Sequence, residues 1–386
     1  MKARSIRPQA RGALWLALSG LVITGAAAAG DPHPVLPPLK TISLVASTVP
    51  GNGDVNPYGV AQVRYTTGNL RAGHILVSNF NNSANLQGTG STIVDIAPDG
   101  AMSVFAALSP ATLPGACPGG LGLTTALVVL DQGWVIVGSL PTADGTSATM
   151  QAGCLIVLDS MGNAVETWFG SLINGPWDMT AFEDEHEAKL FVTNVLNGTV
   201  AANGAVVKAG TVTRLDVSLR SSAMPVLESI TVIAAGFSQR TDPAALVLGP
   251  TGLALHAACD DGCGGGEAQR DGTLLYVADT LANRIAVIDH PLGRVASAGT
   301  GRTLSEGGSL NAPLGLIATP GGDLLTVNGG NGYIIEITPA GEQRARKLLD
   351  NNGSPPGSGA LFGLAYDPER GVYFVDDDLN VLNLLH

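Results

Sequence analysis

Apolar residues along this chain come in short runs, each closed by Gly, Pro, Asn or Asp. Runs of that length between turn residues predict strands rather than helices. They also recur as a phrase: a glycine-bearing first strand, a turn, a second strand ending in Asn or Asp, and a third strand ending in another tight turn. The phrase occurs six times, around Gly59, Gly122, Asp178, Gly252, Gly315 and Gly363. Its spacing varies while its core stays constant, as expected of one supersecondary unit carrying loops of different length.

The second strands end at Asn79, Ser139, Asn194, Asp279, Asn328 and Asp376, and fourth strands follow the third, as from Met102 and Ala164. Four short antiparallel strands per unit, repeated radially, predict an all-β, six-bladed β-propeller over residues 41–386. The sixth unit stops at His386 after its third strand, while Thr41 to Ser47 form a strand that no unit claims. This orphan is expected to join the last blade and close the ring, leaving no open edge. Before it, residues 30–40 are proline-rich and predict a stiff extended lead.

Composition agrees with a packed ring. Hydrophobic residues make up 45% and charged residues only 13%, which excludes a disordered chain; the 51 glycines and 23 prolines are turn punctuation. Residues 1–29 read as a signal peptide. Lys2, Arg4, Arg7 and Arg11 precede an apolar run from Ala13 to Ile23, and Ala27-Ala28-Ala29 fits a cleavage site. The run is short for a membrane span and is interrupted by Ser19 and Gly20. An exported protein, periplasmic or secreted, is therefore expected. Removing the four basic residues takes the net charge from -12 to -16, which disfavours nucleic acid and anionic membranes as partners. The expected form is a monomer whose partner is a small molecule or protein at the propeller mouth. In an oxidising compartment the four cysteines predict two disulfides, Cys117 with Cys154 and Cys259 with Cys263.

The fourth unit, Leu274 to Asp289, resembles the NHL repeat, with Asp279, Asn283 and Arg284 at the signature positions. Other units keep a polar pair without the arginine: Asn79 with Asn82, Asn194 with Asn197, Asn328 with Asn331, and Asp376 with Asn380. The resemblance implies an NHL-like propeller, a fold that serves scaffolds, binding proteins, lyases and hydrolases. Gly175-Pro176-Trp177 more distantly resembles the E-G-P-x-W motif of SMP-30/gluconolactonase-like propellers, with Asn174 at the glutamate position and the motif in the third unit rather than the first. That resemblance implies a divalent metal held at the channel mouth by a glutamate and Asn/Asp side chains.

If inner strands start at one face and second strands return to it, both sets of ends share one mouth. This places Tyr58, Trp177, Asp178, Thr251, Asn311 and Phe362 beside Asn79, Asn194, Asp279, Asn328 and Asp376. Tyr58, Trp177, Asp178 and Phe362 are the candidate ligand-binding residues. The five Asn and Asp residues are a candidate oxygen-donor set for a divalent cation such as calcium, although the same residues suit capping of their own turns. Long connections over residues 80–90, 140–153 and 195–210 would wall half of this mouth. His74 and His256 fall towards the opposite face as structural residues, His186 sits in a charged loop, and neither H-E-x-x-H nor G-x-S-x-G occurs. The expected function is a binding or scaffold role at the walled mouth; the alternative is a metal-dependent lactonase or related hydrolase acting through a metal-bound water. The two separate on whether Asp279 and Asp376 converge or turn into their own loops.

Overall fold

In the computed structural model, residues 34–220, 224–257 and 272–386 are described. The segment 1–29 and the pair Cys259 and Cys263 lie outside them. The first strand, β1 (Ile42–Ser47), is followed by blade one: β2 (Val55–Gln62), β3 (Ile75–Asn81), β4 (Thr92–Ile96) and β5 (Met102–Ala107). Blade two is β6 (Leu123–Val129), β7 (Val135–Ser139), β8 (Cys154–Leu158) and β9 (Ala164–Trp168). Blade three has five strands: β10 (Pro176–Glu183), β11 (Glu187–Asn194), β12 (Val207–Ser218), the long β13 (Val226–Asp242) and β14 (Leu246–Leu248). Blade four is β15 (Pro250–Ala257), β16 (Thr273–Asp279), β17 (Arg284–Asp289) and β18 (Arg302–Glu306). Blade five is β19 (Pro313–Ala318), β20 (Leu324–Asn328), β21 (Tyr333–Ile337) and β22 (Gln343–Leu348). Blade six is β23 (Leu361–Asp367), β24 (Gly371–Asp376) and β25 (Val381–Leu385), completed by β1 on its outer edge.

Position in the blade explains the sequence of each strand. Second and third strands such as β3, β7, β8, β20 and β24 are buried along their whole length. A neighbouring blade covers each face, so they read as near-continuous apolar runs. The outer strand β5 is largely exposed and β22 is largely half-buried, and both are mixed in character.

The repeated glycine of the inner strands has a packing cause. A Cβ on Gly315 would lie 1.9 Å from the carbonyl oxygen of Phe362, and one on Gly363 would lie 2.3 Å from that of Tyr58. Adjacent inner strands meet backbone to side chain around the axis, and only a residue without Cβ fits there.

The ring closes as the sequence predicts. Residues of β1 pair antiparallel with β25 from Ile42 opposite Leu385 to Ser47 opposite Val381. The proline-rich lead differs from expectation: it is tied into a turn rather than extended. The backbone N–H groups of Val35 and Leu36 donate to the two carboxylate oxygens of Glu336 at 2.7 and 2.9 Å. Leu36 is fully buried against Leu361, Phe374 and Leu385. A buried carboxylate with two charge-assisted bonds and an apolar anchor overrides the local preference of the prolines. No helix among the described residues is long and apolar enough to cross a membrane.

Candidate functional site: the axial channel

The two ends of the axis are built from opposite ends of the inner strands. In five blades the residue directly after the one paired with the second-strand Asn or Asp is Tyr58, Trp177, Thr251, Leu314 or Phe362. Three of these carry large rings, and they meet across the axis. Tyr58 stacks on Phe362 with centroids 3.9 Å apart and on Phe80 at 4.5 Å. Trp177 meets Tyr58 and Phe80 edge-on at 5.9 and 5.6 Å, a geometry favoured by the ring quadrupole.

This stack is covered from outside. Leu140, Met150, Val195, Leu246 and Val247 belong to the same buried cluster, and the carbonyl of Ala244, at the tip of the β13–β14 hairpin, accepts a bond from Gln87 Nε2 in blade one. The mouth expected to present aromatic platforms is therefore filled. Tyr58, Trp177 and Phe362 are only 2, 3 and 6% exposed. Apolar residues within the long connections, Leu140 and Val195 above all, are the sequence signal for loops that lean inward over the axis.

Behind the plug lies a cavity of about 790 Å³ that runs to the opposite face. Its walls come from all six inner strands, including Val60, Leu127, Leu253, Leu316 and Leu364, and its rim includes Arg64, Asp131, Glu183 and His256. Trp177, Asp178 and Phe362 line its closed end, whereas Tyr58 stands outside the lining. Burial holds the His256 pKa below the usual imidazole value. Glu183 is pushed up by burial, against the backbone N–H of Asp131, which donates to its Oε2 at 2.7 Å.

Asp178 is the distinctive group. By register it occupies the position held by Gly59, Gly252, Gly315 and Gly363 in other blades. Its oxygens accept the N–H of Met179 at 2.8 Å and of Leu253, in blade four, at 3.0 Å. The backbone of Leu253 is thus engaged by a side chain. Burial raises the Asp178 pKa to about 7, and its two backbone donors offset only part of that cost. The neighbouring Thr125 hydroxyl donates to the Trp177 carbonyl.

The five candidate metal ligands bond to nearby structural groups rather than converging on one point. Asn79 Nδ2 donates to the Thr48 carbonyl at 3.0 Å, and Asn194 Nδ2 donates to Thr213 Oγ1 at 3.1 Å. Asn328 accepts the N–H of Asn311 at 3.0 Å and donates to Asn331 at 2.9 Å. Asp279 pairs with Arg284 at 2.9 Å, and Asp376 accepts the N–H of Leu379 at 3.1 Å, so both carboxylates engage their own turns. Asn79, Asn194 and Asp279 each retain a buried oxygen without a donor, but in blades one, three and four respectively. Among the described residues no three His, Cys, Asp or Glu side chains are grouped to hold a metal. The axis itself presents rings, a leucine and a threonine where a hard cation would need converging oxygens. The residues present do not fit an axial divalent metal.

Other predicted residues have structural partners. Thr251 Oγ1 bonds Thr280 Oγ1 at 2.9 Å, and His74 Nδ1 lies 3.0 Å from Asp95. His186 lies in the turn where Asp184 accepts its N–H. Cys117 and Cys154 form the expected disulfide, tying the connection before β6 to the start of β8.

No protein-family model matches the chain, and no curated protein sequence matches it. Solved structures do. A gluconolactonase from Xanthomonas campestris superposes with a TM-score of 0.52 at 12% identity, covering 91% of this chain and 90% of its own. A calcium-binding regucalcin from Agrobacterium tumefaciens gives 0.54 at 12% identity, with coverage of 89% and 93%. A luciferin-regenerating enzyme gives 0.52 at 10% identity, with coverage of 88% on each side. At these identities the likeness establishes a shared six-bladed fold, with structural neighbours of the SMP-30/gluconolactonase family.

Proposed function

We propose that this propeller is a small-molecule hydrolase of the lactone-opening class that works from the axial channel, with Asp178 as proton acceptor. The observation that carries the reading is a carboxyl group at the closed end of the channel, buried and held near pKa 7. A base poised there is matched to proton transfer near neutrality. In the step proposed, water attacks the ester carbonyl while its proton passes to Asp178. The ring C–O bond then breaks, and the leaving oxygen recovers that proton, so no other reactant is needed. The gluconolactonase among the fold neighbours supports the substrate class. The Cys117–Cys154 bond supports an oxidising, exported setting.

A second reading, capture of a small molecule without turnover, is favoured by one feature: other titratable lining groups such as Arg64, Asp131, Glu183 and His256 stand at the rim, beyond the inner-strand positions that flank Asp178. The test is a panel of γ- and δ-lactones assayed by acid release with the full-length protein. Turnover should fall roughly 100-fold or more in Asp178→Asn, the range for loss of a general base, with the circular dichroism spectrum retained. A wild-type protein that opens none of them would overturn the hydrolase reading, and a saturable thermal shift with the same compounds would then support capture.

A further inference from the structure

A second cavity, of about 410 Å³, lies on the plugged face and shares no lining residue with the channel. Blade one contributes Asn56, Asn81 and Gln87, the β24–β25 turn of blade six contributes Asp377, Asp378 and Asn380, and Ala244 of the blade-three hairpin completes the wall. There is no Lys, Arg or His among its lining residues.

The lining carries two carboxylates and no positive charge, its other side-chain donors being neutral amides and the Ser83 hydroxyl. Asn56 is only 6% exposed and has a left-handed backbone at φ 63°, where its N–H is held by Asn380 Oδ1 at 2.7 Å. Its side-chain amide, bonded also to the Tyr58 hydroxyl, is thereby aimed at Asp377. Its amide nitrogen gives Asp377 a single neutral N–H donor, at 2.6 and 3.1 Å from the two carboxylate oxygens, while its oxygen accepts from Asn81 Nδ2 at 3.0 Å. An ionised carboxylate offers about four acceptor sites. Gln87 adds a buried Oε1 without a partner. Charge points the same way: Asp377 stands between Asp376 and Asp378, and no positive side chain lines the cavity.

We infer that this cavity binds an organic cation through a guanidinium or primary ammonium group placed against Asp377. Such a group carries the missing positive charge and several N–H donors at once, and a guanidinium can engage a carboxylate with two parallel bonds. A bare metal ion suits the walls less well. Only two of the lining residues are carboxylates, the remaining side-chain oxygens are dispersed over amides and the Ser83 hydroxyl, and no three acidic, His or Cys side chains converge among the described residues.

The test is a calorimetric titration of the full-length protein at low salt with agmatine, which carries both cationic groups. Saturable one-to-one binding is expected, weakened at least roughly tenfold by Asp377→Asn, the scale of a hydrogen bond to a charged group. The exposed Asp378→Asn, which leaves packing untouched, should weaken it by about threefold and serves if the first variant does not fold. No saturable binding to the wild type, undiminished binding to both variants, or stoichiometric calcium bound in place of agmatine would each overturn the inference.

Discussion

The two ends of the propeller axis are lined by the same six inner strands yet have opposite characters. At the end where the strands start, aromatic side chains point inward and the loops of blades one to three fold over them, so the axis is sealed by a buried apolar cluster. Where the strands finish, the rim carries charged groups such as Arg64 and Asp131, and among the described residues the channel is open. The difference teaches that decoration and access need not coincide. Loop length marked the elaborated face, but apolar residues within those loops turned elaboration into a lid. Asp178 sits at the boundary, against the plug on one side and the cavity on the other.

The largest way to break this contrast is to remove the plug. Trp177→Ala deletes a ring that is 3% exposed and meets both Tyr58 and Phe80. Truncating a buried aromatic side chain costs about 3–5 kcal/mol, and urea denaturation should register a loss of that size. A loss below about 1 kcal/mol would show that the start face does not carry the packing assigned to it.

Asp178 tests the boundary through pH. Its folded pKa, about 7, lies above the ordinary carboxylate value of 3.8, so between those values the folded state keeps a proton that the unfolded state has released. Its contribution to stability is fully present below about pH 4 and is lost as pH rises through 7. Asp178→Asn should remove at most about 4 kcal/mol of that dependence, read as a smaller difference between urea midpoints at pH 4.5 and pH 8. Asp376 and Asp377 have raised pKa values of about 6 and about 7, so the comparison with wild type isolates the Asp178 share. An unchanged difference would count against a buried acid at the channel floor.

The disulfide belongs to the sealed end, where it fastens the connection before β6 to the strand that leaves the blade-two loop. It closes a loop with a sequence separation of 37, and loss of such a crosslink costs about 2–4 kcal/mol. Replacing Cys117 and Cys154 together by serine should lower stability by that amount while leaving lactone turnover at the opposite end in place. Loss of both together, with the fold intact, would indicate that the two ends are coupled.

Much of the architecture was legible because it rests on repetition. Six glycine-marked phrases, the Asn or Asp at five of the six second-strand ends and the unclaimed strand before Val49 correspond to six blades and one closing strand. The glycine signal was legible before its cause, the approach of one inner strand to the next, could be seen. What stayed hidden depends on side-chain direction. Asp279 turns to Arg284, five residues away, and Asp376 to the N–H of Leu379, three residues away; either carboxylate could as well have faced the axis from the same backbone position. Tyr58, Trp177 and Phe362 were placed at the correct end, but an exposed ring and a buried one have the same sequence, and only the lean of Leu140, Val195 and Leu246 separates them. Asp178 was legible in the sequence as one candidate residue of the mouth, while its equivalence to the glycine positions needed the strand register and its contact with Leu253 depended on the neighbouring blade.

The smallest predicted effect is at the open end. Tyr366 lines the channel near the finish of β23 and is half-buried rather than sealed. Its ring contributes wall area and no contact with the aromatic plug, so Tyr366→Ala should cost about 1 kcal/mol or less. The same replacement, aromatic ring to methyl, is thus expected to differ several-fold in cost between Trp177 and Tyr366. If Tyr366→Ala instead matches Trp177→Ala in urea denaturation, the open end is packed as tightly as the sealed one and the contrast between them fails. If stability is kept but lactone turnover changes, the rim shapes what enters the channel.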